Sequence, residues 1–82
     1  IITLRLDRLA YNLLTEEYPK SHTYITQDDD THWLLRLPVC SYLGIGRFVL
    51  GLYDHIEVLE TEDFKQYLRS QLTRFLNEDT VV

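Results

Sequence analysis

The apolar residues of this chain change their period along its length, and the order of those changes restricts the fold more than any single motif. Residues 2–6, "ITLRL", alternate, so Ile2, Leu4 and Leu6 share one face of a strand and Thr3 and Arg5 the other. Over residues 8–18 the spacing becomes helical, with Leu9, Ala10, Leu13, Leu14 and Glu17 in the pattern. Asp7 is placed to cap that helix and Pro19 to stop it. Alternation returns in "SHTYITQ", residues 21–27, and in "THWLLRLP", residues 31–38. Asp28, Asp29 and Asp30 form the solvent-facing turn between them. Directly opposed residues of a hairpin share a face, so Ile25 must oppose Trp33 or Leu35 rather than Leu34. A second helix over residues 42–53, capped by Ser41, carries Ile45, Phe48, Val49 and Leu52. Gly44 and Gly46 weaken it by about 1 kcal/mol each and leave room for close backbone approach to the sheet. "HIEVLE", residues 55–60, is a fourth strand with Ile56 and Val58 inward. Thr61 caps a last helix whose stripe of Phe64, Tyr67, Leu68, Leu72, Phe75 and Leu76 is the most regular in the chain. Glu62 and Asp63 stand at its positive end.

The order β-α-β-β-α-β-α predicts an α+β protein, with two split βαβ units forming a ferredoxin-like βαββαβ sandwich. Right-handed crossovers give a four-stranded antiparallel sheet in the order 4-1-3-2 with both helices on one face, plus a C-terminal helix. Strands one and three form the central pair and are expected to run parallel. The last helix has no place in the bare sandwich. It is expected to cover the open sheet face, to run past the sheet edge, or to pack on another subunit, because an exposed stripe of that size marks an interface.

With 82 residues the chain is expected to be a single domain, and 45% hydrophobic content suffices for one modest core. No apolar run approaches the roughly 18 residues of a membrane span, and the sequence leads to the expectation of no signal peptide. The chain begins at Ile1 rather than Met, which suggests a piece of a longer protein. The single cysteine, Cys40, cannot form an internal disulfide and fits a reducing, cytoplasmic setting. A net charge of −5 argues against a generic nucleic-acid binder, whose footprint is basic.

The expected topology gathers Thr3, Arg5, Tyr24, Thr26, His32, Leu34, Arg36, His55 and Glu57 on the open sheet face and sets Arg5 beside Arg36. Two neighbouring guanidiniums repel unless something anionic lies between them. Glu57 can pair with Arg5, giving an ordinary solvated face with ion pairs each worth less than about 1 kcal/mol. Alternatively Arg5, Arg36, Tyr24 and His32 are a candidate anion or interface site. There the arginine forks would hold a phosphate, a nucleotide or an acidic partner, or anchor a protein contact.

No catalytic, metal or cofactor motif emerges. His22, His32 and His55 lack metal spacing, and Cys40 has no nearby histidine. Ser41 reads as a cap rather than a nucleophile. Gly44-x-Gly46 lacks the remainder of a dinucleotide fingerprint and falls inside a helix. The three aspartates lack the glycine and distal glutamate of an EF-hand loop. An RNA-recognition module needs aromatics on the open face of its central strands, and here Trp33 points inward. These observations lead to the expectation of a non-enzyme without cofactor or metal.

Three segments, "ITLRLDRLAYNLLTEEY", "THWLLRLPV" and "IGRFVLGLYDHIEVLETEDFKQYLRSQL", together resemble the C-terminal extension (WCX) domain of WYL-domain transcriptional regulators over residues 2–77. Arg5-Leu6 matches the strand end that opens the family pattern, and Val58-Leu59-Glu60 its fourth strand. The chain departs from the pattern at Tyr53-Asp54, where the family usually has glycine, and at Thr61, where a proline commonly starts the last helix. The resemblance implies that residues 1–82 are the C-terminal part of a bacterial, cytoplasmic regulator. Upstream there would be a winged helix-turn-helix and a WYL domain, the latter sensing nucleotide or single-stranded nucleic-acid effectors. It implies a homodimer in which this piece assists dimerisation and shapes the response, DNA contact only through the missing N-terminal domain, and no membrane partner.

Overall fold

Ile2, Leu4 and Leu6 are completely buried, and the strand that carries them, β1 (Ile2–Asp7), runs through the middle of the sheet in a computed structural model that describes residues 1–77. α1 (Arg8–Glu17) follows directly, because the Asp7 carboxylate Oδ1 accepts the Ala10 amide at 3.0 Å and so caps the helix in the expected way. A 3-10 segment, Pro19–Tyr24, comes next, and then the hairpin of β2 (Ile25–Asp29) and β3 (His32–Leu37). α2 (Leu43–Gly51), β4 (Ile56–Leu59) and α3 (Glu62–Leu76) complete the described chain.

The four strands form one antiparallel sheet in the order β2-β3-β1-β4, which is β4-β1-β3-β2 read from the other edge. The central pair β1 and β3 is antiparallel, with Leu4 opposite Leu35, and not parallel. The α1 crossover leaves β2 parallel to β1, and the hairpin then reverses the chain, so β3 must run against β1. Ile25 opposes Leu35, as the parity of the hairpin requires.

The second strand starts four residues later than expected. Pro19 presets the backbone angle of a tight turn, the Ser21 amide donates to the Tyr18 carbonyl at 2.9 Å, and residues 19–24 close into 3-10 geometry instead of extending. β2 also carries a bulge between Gln27 and Asp29, where Asp28 has no opposite residue.

One core joins the inward face of β1 and Leu35 to Ala10 and Leu14 of α1, Ile45 and Val49 of α2, and Phe64 and Leu68 of α3. The last helix therefore packs on the same side as the other two and leaves the opposite sheet face open. Gly46 lets α2 and α3 approach, since a Cβ built there would lie 2.8 Å from Cε2 of Tyr67. The room glycine provides thus goes to a neighbouring helix and not to the sheet. Thr61 occupies the N-cap position of α3 without a side-chain cap bond; its hydroxyl donates instead to the Ile1 carbonyl at 3.3 Å. The N-cap position of α2 is Tyr42, not Ser41, and has no side-chain cap bond; the Ser41 hydroxyl, one residue earlier, accepts the Leu43 amide at 3.2 Å. Asn77, in the left-handed region with φ 60°, ends the helix.

Candidate functional site

The open sheet face is built on the register of β1. Thr3 opposes Arg36 and Leu59, Arg5 opposes Leu34 and Glu57, and Asp7 opposes His32. Arg5 and Arg36 are therefore diagonal neighbours, and each is drawn to different carboxylates. The Arg5 guanidinium reaches Asp28 at 2.8 Å through Nε, Asp29 at 3.0 Å through Nη2 and Glu57 at 3.6 Å through Nη1. The bulge in β2 supplies two of these three, because it brings consecutive aspartates within reach of the same guanidinium. Arg36 is 65% exposed and has a single long contact, 3.7 Å, to Glu60.

Asp29 is the hub at this end of the hairpin. Its Oδ1 accepts from the Thr31 amide at 2.8 Å and from His32 Nδ1 at 3.1 Å, while Oδ2 accepts from Arg5. The Thr31 amide foremost, with help from His32 and the Thr31 hydroxyl, holds the Asp29 carboxyl down at about 2. Across β1, His55 Nδ1 donates to Asp7 Oδ2 at 2.6 Å, and its Nε2 lies 3.6 Å from Asp54. The bond to Asp7 raises the His55 imidazole above its ordinary value. Partial burial pushes the Asp7 carboxyl upward, yet the Ala10 amide and His55 outweigh it and hold the group below its usual range. Asp7 thus joins the start of α1 to the start of β4.

The sign of the resulting pH dependence differs between the two kinds of group. His55 gains affinity for its proton on folding, so its contribution is complete below the unfolded value near 6.5 and is lost as pH rises through the higher folded value. Asp29 and Asp7 contribute above the unfolded value near 3.8 and lose that contribution as pH falls, for Asp29 toward about 2. Thermal melts are expected to show greatest stability between these limits, near pH 5 to 6, and His55→Asn is expected to flatten the alkaline limb, with a smaller change in the acid limb through Asp7, which loses one of the partners holding it down. An alkaline limb that is unaltered in His55→Asn would contradict the assignment.

The four residues singled out from sequence do not converge. Arg5 and His32 belong to the carboxylate network, and Arg36 stands apart near Glu60. Tyr24 is not on the open face at all. It lies in the 3-10 segment, 41% exposed, and lines a cavity with Leu37, Val39 and Ile45 on the helix side. The strand assigned to residues 21–27 put it on the wrong surface. Sequence reasoning also missed the Asp7–His55 pair, 48 residues apart. The antiparallel register of β1 and β4 would have found it, since Leu6 opposes Ile56 and the next pair outward is Asp7 and His55. The contacts of His55 are two carboxylates, which orient the ring and favour its protonated form. No group of three or more residues among the described ones could hold a metal ion.

A second surface emerges from α3. Its first two turns bury Phe64 and Leu68, but the same stripe continues into Leu72, Phe75 and Leu76, which are 46%, 84% and 57% exposed. Leu50 and Gly51 of α2 border this end. This end of α3 is an exposed apolar patch on the helix side of the sheet.

The WCX domain model matches residues 2–76, and the chain belongs to that family, the C-terminal extension of WYL-type regulators. The family match identifies a regulatory accessory domain. Searches of curated proteins and of solved structures found no match. No helix among the described residues is long and apolar enough to cross a membrane.

Proposed function

We propose that this chain is a non-catalytic regulatory and dimerisation module, on a ferredoxin-like frame, of a WYL-type helix-turn-helix transcriptional regulator. One observation carries the dimerisation reading: the α3 stripe that fills the core at Phe64 and Leu68 runs on, uncovered, through Leu72, Phe75 and Leu76. Burying such a stripe recovers about 25 cal/mol for each Å² of apolar surface removed from water, and a second copy of the chain supplies a surface to bury it. DNA contact belongs to an upstream helix-turn-helix domain. The domain acts by fixing the geometry of the dimer to which the sensor and DNA-binding parts are attached.

The open sheet face is poorly suited to an anionic effector. A phosphate approaching Arg5 would have to displace Asp28, Asp29 and Glu57 from the guanidinium. Light scattering on the 82-residue chain is expected to give twice the monomer mass. Phe75→Asp is expected to give the monomer mass with an unchanged circular dichroism spectrum. A wild-type chain that stays monomeric at high concentration would overturn the reading.

A further inference from the structure

A dimer built on α3 needs a surface that receives it, and the inference here rests on the dimerisation reading. α1 and α2 enclose an open groove of about 710 Å³. Its apolar lining is Leu13, Phe48 and Leu52, and Glu16 and Glu17 line it from α1. Neither glutamate makes an ion pair among the described residues, although the groove also carries Arg47 from α2. The end of α3 has the complementary chemistry. Phe75 projects almost fully into solvent, and Arg74 beside it in sequence likewise has no ion-pair partner among the described residues. Helix and groove are adjacent on the molecular surface, because Gly51 lines both the groove and the hollow beside Leu72 and Phe75.

We propose that two copies of this chain pair about a two-fold axis passing beside Gly51, each placing the last turn of α3, led by Phe75, in the other's α1/α2 groove. Self-complementarity is what a two-fold contact demands, and a protruding helix end next to a groove of matching chemistry satisfies it in one operation. Arg74 of each copy then meets the Glu16 and Glu17 wall of the other. The absence of a side chain at Gly51 keeps the crossing point clear.

Gly51 also provides a test that spares the fold. Its φ is not positive, and a Cβ there would meet nothing within 4 Å. Gly51→Gln is therefore expected to keep the monomer's circular dichroism and melting temperature while weakening the dimer at least tenfold by sedimentation equilibrium. Glu16→Lys with Glu17→Lys is expected to weaken the dimer, and adding Arg74→Glu to recover part of the loss. A wild-type dimer whose dissociation constant is unchanged by Gly51→Gln, or a triple variant no tighter than the double, overturns the groove assignment and leaves dimerisation standing. A monomeric wild-type chain overturns both.

Discussion

Phe64→Ala is expected to cost about 3–5 kcal/mol of folding free energy, enough to bring a domain of this size close to unfolding at ambient temperature. Phe64 is completely buried at the start of α3, with its ring 5.0 Å from that of Tyr42 and stacked on Tyr67 at 6.4 Å. Truncation removes the transfer energy of the ring and leaves a cavity that the flanking aromatics cannot fill without abandoning each other. Urea unfolding should show a lower midpoint with an unchanged slope, and the melting temperature should fall by at least about 12 °C. The same truncation at Phe75 should leave the monomer within about 0.5 kcal/mol of wild type, because that ring touches the core nowhere comparable and is 84% exposed. The contrast separates the half of the helix that builds the domain from the half available to something else.

Gly46→Val is expected to destabilise the chain by about 2–3 kcal/mol, despite replacing the residue with the poorest helix propensity after proline. Propensity alone would make the change favourable by several tenths of a kcal/mol. The deciding fact is the 2.8 Å between the position of a Cβ at Gly46 and the Tyr67 ring. That ring is flanked by Phe64 and by Tyr42, 5.5 Å away, so it cannot swing aside freely. α2 and α3 must separate instead. Gly51→Ala is the matched comparison: the space beside Gly51 is open, and stability there should hold or rise by a few tenths of a kcal/mol. Equal effects at the two glycines would refute this account of α2–α3 packing.

How far these features could be read without coordinates depends on the range of the interaction that decides them. β1, α1 and the pairing of Ile25 with Leu35 follow from local spacing, one cap and parity. Each rests on a few contiguous residues, and each is present. The orientation of β3 against β1 also follows from the topology, once the crossover and the hairpin are counted in sequence. The start of β2 was not legible, because "SHTYITQ" alternates in sequence while Pro19 commits the chain to a 3-10 turn. That turn moved Tyr24 off the sheet. The fate of Arg5 was half legible. Glu57 follows from strand order, but the two aspartates depend on a bulge that no residue pattern announces. The stripe of α3 was plain, whereas its division into a buried and an exposed half is a matter of where the helix leaves the core, which periodicity does not encode.

The central claim is that the exposed end of α3 joins two copies of this domain. A dilution series followed by amide chemical shifts tests it in one measurement. The account expects the amides of Leu72, Phe75 and Leu76 to move progressively as the protein is diluted, while those of Leu4 and Leu6 in the core strand stay fixed. Amide shifts at the end of α3 that are independent of concentration, with the tumbling rate of a monomer throughout, would contradict it.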